Sequence, residues 1–257
     1  MTTLLDVQGL RVSFGPRPAV NGVSFAIASG ETVALVGESG SGKTTTGYAL
    51  MRLLGDNALV QGTAVFEGRD LFTLPEAEMR SLRGRRMSIV FQEPATALNP
   101  VMRVGDQIAE VARVHGESVK AAREMAVAML ERTGIADPAR RARAYPHELS
   151  GGMRQRVMIA MALLLKPALV IADEPTSALD VTVQAQILAL LGELKRESNT
   201  AILFITHDLG VVAQTCSRAM VMRAGEIVES ADVETLFSAP SHEYTRELLA
   251  AVPRLSP

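Results

Sequence analysis

Two patterns of apolar residues alternate along this chain, and each predicts a different kind of element. Residues 5–12 and 23–27 partly alternate between apolar and polar, which predicts half-buried strands. Further strands are predicted at 32–36, 62–66, 88–91, 168–172, 201–206 and 218–223. Helices are predicted at 45–54 and 183–195, and again at 104–114 and 119–130 within a mainly helical stretch. The layout predicts an α/β core (1–92 and 166–230), a helical insertion (about 93–165) and a short tail (231–257).

Composition limits the classes of function. A length of 257 residues with 47% apolar content is typical of one buried α/β domain or a core with a smaller lobe. A net charge of −2 gives no overall field that would attract nucleic acid, and the arginines at 80, 83, 85 and 86 are interpreted as a solvated helix face. The single cysteine, Cys216, excludes an internal disulfide and a C-x-x-C metal site.

The chain has no secretory signal pattern at its N-terminus and no long apolar run. Its longest apolar run, 158–165, is too short to span a bilayer. If the protein serves a membrane process, we therefore expect it to act from outside the bilayer.

Residues 37–44, Gly-Glu-Ser-Gly-Ser-Gly-Lys-Thr, fit the phosphate-loop pattern G-x-x-x-x-G-K-[ST] between a predicted strand and a predicted helix. The glycines permit a tight turn that brings backbone N–H groups against an anion, Lys43 can reach the outer phosphates, and Thr44 can ligate Mg²⁺. A glycine-rich connection without a ligand is the alternative, and the predicted strand and helix on either side favour the phosphate loop. The predicted nucleotide-binding residues are Gly37, Glu38, Ser39, Gly40, Ser41, Gly42, Lys43, Thr44 and Thr45.

Polar side chains follow three of the predicted strands. Asp173 and Glu174 end an apolar strand, where Asp173 can hold Mg²⁺ and Glu174 can deprotonate an attacking water. His207 follows another strand and could contact a γ-phosphate. Gln92 follows a third, and its amide could contact a metal-bound water and a phosphate. For each of these residues the alternative is an ordinary surface or structural residue.

Residues 149–156, Leu-Ser-Gly-Gly-Met-Arg-Gln-Arg, open a predicted helix that continues to residue 165. Ser150 is a plausible N-cap, and Gly151 and Gly152 free backbone N–H groups for a second anion contact. A glycine-containing helix start without a ligand is the competing interpretation.

Taken together and in this order, the motifs resemble those of the nucleotide-binding subunits of ABC transporters over nearly the whole chain. The phosphate loop resembles the Walker A motif, residues 169–174 the Walker B motif, Gln92 the Q-loop and His207 the switch histidine. Phe14 is at the position of the aromatic residue that stacks on adenine. The resemblance implies catalytic roles for Glu174, His207 and Gln92, and metal ligation by Thr44, Gln92 and Asp173. It further identifies a signature motif (Leu149, Ser150, Gly151, Gly152, Gln155) and a D-loop (Ser177, Ala178, Leu179, Asp180).

The same resemblance implies the fold and the reaction. The expected fold is a RecA-like P-loop core with an antiparallel β subdomain and an inserted helical subdomain. The expected ligands are ATP and Mg²⁺, with each ATP held between the Walker A motif of one subunit and the signature motif of another. Hydrolysis would then loosen the dimer and drive transport.

Three stretches resemble more narrowly the peptide/nickel importer branch of the family, and in particular the first of its two usual ATPases. They are residues 91–100, residues 151–162 and the tail stretch 242–249, His-Glu-Tyr-Thr-Arg-Glu-Leu-Leu. A heterodimer with a paralogous ATPase is implied, and a homodimer stays open. Two features depart from the branch. There are no clustered C-terminal cysteines, so no iron–sulfur cluster is expected, and Ala95 and Ala97 replace the usual Met and Ser near the surface that meets the membrane subunits.

The implied partners are a second ATPase, two integral membrane permease subunits and an extracytoplasmic substrate-binding protein, with this chain on the cytoplasmic face of the membrane. No nucleic-acid partner is expected. One alternative is a soluble ABC-type ATPase that acts on DNA or ribosomes, although no coiled-coil, zinc or tandem ATPase insertion is visible. A GTPase is the other, but no N-K-x-D segment is present. The cargo stays open among peptides, nickel and related solutes.

Overall fold

A computed structural model describes residues 2–177 and 179–251 of the chain. Within this part, the chain divides into two compact units. The first contains residues up to 75 together with those from 201 onward, and the second contains residues 76–200. Both units combine strands with helices, so the α/β class predicted from the sequence is confirmed.

The elements are numbered in chain order. The strands are β1 (Thr3–Ser13), β2 (Pro18–Ala28), β3 (Thr32–Val36), β4 (Leu59–Phe66), β5 (Arg69–Asp70), β6 (Met87–Val90), β7 (Leu169–Asp173), β8 (Ala201–Thr206), β9 (Arg218–Arg223) and β10 (Glu226–Asp232). The helices are α1 (Lys43–Leu50), α2 (Glu76–Leu82), α3 (Pro94–Ala97), α4 (Val104–Arg113), α5 (Val119–Arg132), α6 (Pro138–Arg141), α7 (Gly151–Leu163), α8 (Val181–Ser198), α9 (Leu209–Thr215), α10 (Val233–Ser238) and α11 (Glu243–Ala250). A short 3₁₀ helix, Pro146–Glu148, precedes α7.

The first unit contains an antiparallel sheet with the strand order β2-β1-β4-β5. Its central strand, β1, pairs with β2 on one side and with β4 on the other, so that Val12 lies opposite both Val20 and Val60. Buried and exposed positions alternate along β2, which is the pattern of a sheet with one buried face. The antiparallel β subdomain that the family resemblance implied is therefore present.

The nucleotide motif follows a parallel arrangement of strands in the same unit. Strand β3 lies between β8 and β9, with Leu35 opposite Ile205 on one side and Met220 on the other. All residues of β3 and β8 are buried, because a parallel strand covered on both faces needs a continuous apolar run. Strand β10 continues the order antiparallel to β9.

The second unit contains the parallel pair β6 and β7 and a group of helices. Ile89 lies opposite Ile171 in this pair. Helices α4, α5 and α7 pack on one another, and Ile108, Leu130 and Ile159 are fully buried. In the described part of the chain, every helix is too short or too polar to bridge the hydrocarbon core of a bilayer.

The continuous apolar runs were the most accurate predictors of elements. Strands β3, β8 and β9 coincide with the predicted ranges. The predicted helix at 45–54 instead begins at Lys43 and ends at Leu50, and Arg52 then has a positive φ of 50°. Strand β10 was not predicted, because most of the sequence Glu-Ile-Val-Glu-Ser-Ala-Asp is polar and resembles a loop.

Candidate ATP-binding and hydrolysis site

The phosphate loop connects β3 to α1, and two of its glycines are required by the surrounding backbone. Gly37 has a φ of +153°, and a Cβ atom there would lie 2.1 Å from the carbonyl oxygen of Met222. Gly42 has a φ of +106°, and a Cβ atom there would lie 2.4 Å from the carbonyl oxygen of Ala19. Any side chain at these positions would clash with backbone, so the loop's path depends on glycine.

The ammonium group of Lys43 folds back over this loop. Its Nζ donates hydrogen bonds to the carbonyl oxygens of Gly37 at 2.8 Å and Glu38 at 2.7 Å, and it lies 3.4 Å from Oγ of Ser41. The residue is only 6% exposed. A cation held by backbone carbonyls at the loop is positioned to interact with an anion bound there.

The first turn of α1 supplies the remaining predicted nucleotide-binding residues of the loop. Gly42 precedes the helix, and Thr44 and Thr45 are half-buried in its first turn. The hydroxyl of Thr46, one residue further, donates to the carbonyl of Gly42 and braces the helix start. The first N–H groups of a helix and its positive dipole end favour bound phosphate. Glu38, Ser39 and Gly40 are exposed on the loop.

Phe14 directly follows β1 and is 46% exposed. The neighbouring position across the sheet is also apolar, because Leu59 lies opposite Ser13 and is 59% exposed. An exposed aromatic ring offers a surface for a planar base, and the stacking of Phe14 on adenine stays a prediction.

His207 is held between the end of β8 and the start of α9. The carboxylate of Asp208 caps α9 by accepting hydrogen bonds from the backbone N–H groups of Gly210 at 2.8 Å and Val211 at 3.2 Å. The backbone N–H of Asp208 donates to the hydroxyl of Thr206. These bonds fix the backbone around His207, whose side chain is exposed.

In the second unit, β7 ends at Asp173, and Glu174 follows it directly. Asp173 is fully buried, whereas Glu174 is half-buried and has a φ of +43°. A left-handed backbone at a residue other than glycine costs on the order of 1 kcal/mol and is enriched at functional sites. The backbone N–H and the hydroxyl of Ser177 both donate to the carbonyl of Glu174 and hold this turn.

The side chains of Gln92 and Glu174 contact each other. Nε2 of Gln92 donates a hydrogen bond to Oε2 of Glu174 at 3.1 Å. A carboxylate that is fixed by an amide donor is oriented for proton transfer. The structure thus brings together two residues that the sequence analysis could connect only through the family resemblance.

The predicted signature motif forms the start of α7. The hydroxyl oxygen of Ser150 accepts a hydrogen bond from the backbone N–H of Met153, which makes Ser150 the N-cap as predicted. A Cβ atom on Gly151 would meet nothing within 4 Å, whereas one on Gly152 would lie 3.0 Å from Cγ1 of Val183. Leu149 is buried and anchors the motif.

Gln92 and residues of the signature motif and D-loop line one cavity of about 250 Å³. The lining includes Gln92, Gly151, Gln155, Ser177 and Leu179. Gln155 is 2% exposed, and its Nε2 has no hydrogen-bond partner among the described residues. The cavity therefore joins three of the predicted motifs within the second unit.

The D-loop leads into α8. The carboxylate of Asp180 caps this helix by accepting from the backbone N–H of Val183 at 2.9 Å. The backbone N–H of Leu179 donates to the carbonyl of Thr176. The remaining predicted D-loop residue, Ala178, lies outside the described residues.

Known proteins resemble this chain over most of its length. The family model described as ABC transporter matches residues 20–177. The oligopeptide transport ATP-binding protein OppD of Salmonella typhimurium is 54% identical over 98% of this chain and 77% of its own length. The protein of the same name in Haemophilus influenzae is 52% identical over 99% of this chain and 80% of its own length.

Solved structures share the fold. The ATP-binding cassette MJ0796, a dimer bound to ADP and Pi, superposes with a TM-score of 0.79 at 26% identity, over 89% of this chain and 98% of its own. The cbiO1 protein of Clostridium perfringens, part of the ABC transporter complex cbiONQ, also gives 0.79 at 26% identity, over 99% and 97% of the two chains. The chain belongs to the ABC transporter family, and its fold is that of the ATP-binding cassette.

Proposed function

We propose that this chain is the ATP-hydrolysing subunit of an ABC importer for peptides. The assignment of ATP hydrolysis rests on the phosphate loop, in which buried Lys43 is hydrogen-bonded to the carbonyls of Gly37 and Glu38. The peptide part is supported by relatives, named as oligopeptide transport ATP-binding proteins, that are more than half identical over nearly the whole chain.

Nucleotide binding is assigned to the first unit. The loop N–H groups, Lys43 and the first turn of α1 hold the phosphates, and Phe14 stacks on the base. A guanine-reading N-K-x-D segment does not occur in the sequence, which supports ATP over GTP.

Mg²⁺ fits the residues that are available for it. Thr44, Gln92 and Asp173 offer hydroxyl, amide and carboxylate oxygens, which are the ligands that this hard cation prefers. In proteins Mg²⁺ is commonly bound by one or two protein ligands together with substrate phosphates. When bound, Mg²⁺ neutralises charge on the phosphates.

Hydrolysis is assigned to residues at strand ends. Glu174 accepts a proton from the attacking water, and Gln92 orients its carboxylate through the 3.1 Å hydrogen bond. His207, whose backbone precedes the cap of α9, stabilises the charge that develops on the γ-phosphate.

The second anion-binding element is proposed to serve a partner subunit. Ser150, Gly151 and Gly152 open α7, so they present N–H groups and a helix dipole to a γ-phosphate held by another chain. ATP would then stabilise the closed dimer, and hydrolysis would release it. The partner is proposed to be a paralogous ATPase, and both subunits act with two permease subunits and a substrate-binding protein at the cytoplasmic face of the membrane.

Copurification tests this assembly. The tagged chain, isolated in detergent from its native host, should bring down a second ATPase and two polytopic membrane proteins. Recovery of the chain with nucleic acid or ribosomes instead, in a salt-dependent manner, would overturn the proposal in favour of the soluble ATPase. Recovery of two copies of this chain with the membrane proteins would replace the heterodimer by a homodimer.

A further inference from the structure

The tail stretch that resembles the peptide/nickel branch lies within the first unit and is hydrogen-bonded to β10. Residues 233–250, which contain α10 and α11, are referred to as the C-terminal segment. The carboxylate of Glu229 on β10 accepts hydrogen bonds from the backbone N–H of Ser241 at 2.7 Å, the hydroxyl of Ser241 at 2.8 Å and the backbone N–H of His242 at 3.0 Å. Burial acts to raise the pKa of Glu229, but the nearby hydroxyl of Thr245 and the hydrogen bonds from Ser241 and His242 outweigh it and lower the pKa to about 2.

Tyr244, in the first turn of α11, is the residue of this segment that reaches the nucleotide motif. Its side chain is 2% exposed and packs in one apolar cluster with Val36, at the end of β3, and Leu209, at the start of α9. The guanidinium carbon of Arg223 lies 4.6 Å from the centre of its ring, within the range of a cation–π contact. Nδ1 of His242 caps α11 by accepting from the backbone N–H of Tyr244.

The hydroxyl group of Tyr244 accepts a hydrogen bond from the backbone N–H of Glu38 at 3.1 Å. This N–H belongs to the peptide group whose carbonyl oxygen is that of Gly37, and that oxygen accepts from Nζ of Lys43 at 2.8 Å. One peptide group is therefore held at one end by the tail tyrosine and at the other by the phosphate-loop lysine. Rotation of this peptide would break both contacts.

A buried tyrosine hydroxyl commonly finds some polar partner, and that alone would make Tyr244 a structural residue. Three observations give it a more specific role. Its partner lies inside the phosphate loop, the bonded peptide also positions Lys43, and its ring packs against the residues that flank both the loop and the helix after His207.

We propose that Tyr244 is a positioning residue for the phosphate loop. Its hydroxyl fixes the orientation of the Gly37–Glu38 peptide and, through it, the position of the Lys43 ammonium. The contact between the C-terminal segment and the loop therefore determines the affinity of the loop for nucleotide. This inference rests on the proposed function, because it assigns Tyr244 a part in ATP binding.

Tyr244→Phe tests the proposal, since it removes the hydroxyl and keeps the ring against its apolar neighbours. Loss of one hydrogen bond predicts an ATP dissociation constant raised between about 2-fold and 10-fold. Ser241→Ala is the matched control, because it also removes one hydroxyl hydrogen bond from the C-terminal segment but has no bond to the loop. It should leave ATP binding unchanged. Equilibrium binding by the full chain is the measurement, with thermal unfolding to compare folded stability.

Hydrogen exchange at the Glu38 amide provides a readout that general destabilisation would not reproduce. This amide should be protected in the wild-type chain and exchange faster in Tyr244→Phe, while Ser241→Ala leaves it unchanged. Rapid exchange of this amide in the wild-type chain would overturn the inference without any variant.

The binding results separate the two proposals. Equal weakening of ATP binding by both variants would assign the effect to the segment's stability and overturn the role of the hydroxyl. Unchanged binding in Tyr244→Phe, with normal binding by the wild-type chain, would overturn this inference alone. A wild-type chain that binds no ATP would overturn the proposed function as well.

Discussion

The side-chain amide of Gln92 donates a hydrogen bond to the carboxylate of Glu174, with Nε2 and Oε2 3.1 Å apart. The two residues are 82 positions apart in sequence and follow the neighbouring parallel strands β6 and β7. The carboxyl ends of parallel strands meet at one edge of a sheet, which explains why two distant residues form one polar pair. Glu174 also has a left-handed backbone, with a φ of +43°, so backbone strain and the amide donor occur at the same residue.

Gln92→Ala should reduce ATP hydrolysis about tenfold with little loss of ATP binding. The carboxylate of Glu174 loses its donor, and one hydrogen bond to a charged group accounts for roughly this rate factor. Steady-state hydrolysis and equilibrium binding measure the two effects. Gln8→Ala is the matched control, because Nε2 of Gln8 also donates to a carboxylate, that of Asp6, at an exposed position of β1. An equal loss of hydrolysis in both variants would argue against a specific role for Gln92.

Gly151→Ala should leave the isolated subunit folded and able to bind ATP, yet prevent ATP-driven association with the partner subunit. A Cβ atom at this position meets nothing within 4 Å in the subunit, and alanine favours a helix by up to about 1 kcal/mol over glycine. The new methyl group would instead occupy the approach of the partner's γ-phosphate. Light scattering with ATP measures association.

Gly192→Ala is the control for Gly151→Ala, because it makes the same change within α8, where the nearest atom, Nη1 of Arg196, lies 3.8 Å from the new Cβ. It should retain association. If Gly151→Ala associated with its partner as readily as Gly192→Ala, the assignment of the signature motif to a partner's nucleotide would be contradicted.

Lys43→Ala should weaken ATP binding by 100-fold or more, on the order of 3 kcal/mol, because a buried cation at the phosphate loop is lost. Fluorescence titration with a labelled ATP analogue measures the affinity. Lys120→Ala, which removes an exposed lysine from α5, is the control and should bind normally. Unchanged affinity in Lys43→Ala would disprove the phosphate-loop assignment.

Glu229→Gln should destabilise the protein at neutral pH by on the order of 1 kcal/mol, a value reduced for the partial exposure of this carboxylate. The pKa of Glu229 falls from 4.5 to about 2 in the folded chain, so its contribution is complete above about pH 4.5 and is lost as the pH falls toward 2. Urea unfolding at pH 7, 4 and 3 measures the free energy of unfolding of both proteins. The difference between wild type and variant should become smaller as the pH falls. Glu247→Gln, which removes an exposed carboxylate from α11, should have the same free energy of unfolding as the wild type at each pH. If the difference in unfolding free energy between wild type and Glu229→Gln did not change with pH, the lowered pKa of Glu229 would be contradicted.

Secondary-structure elements could be predicted from the sequence where neighbouring residues are enough to determine them. The continuous apolar run of β3 and the N-cap Ser150 needed only neighbouring residues, and both were predicted. Strand β10 could not be predicted, since its pairing with β9 rather than its own polar sequence makes it a strand.

Hydrogen bonds between residues far apart along the chain could not be predicted from the sequence. Tyr244 and Glu38 are 206 positions apart, and no periodicity or motif indicates that a tail tyrosine bonds the phosphate loop. The signal available was the tail stretch 242–249, which resembles one branch of the family but has no nucleotide-binding residue in it. In the structure, Tyr244 of this stretch packs in one apolar cluster with Val36 of β3 and Leu209 of α9.

Peptide uptake by the assembled transporter in proteoliposomes, with wild-type chain or Glu174→Gln, tests the central claim most directly. General base catalysis contributes about 100-fold or more, so Glu174→Gln should bind ATP, hydrolyse it at least about 100-fold more slowly and import peptide correspondingly slowly. Glu124→Gln, an exposed change on α5, should match the wild type. Uptake by Glu174→Gln at the wild-type rate, or wild-type transporter that moves no peptide while it hydrolyses ATP, would contradict the account.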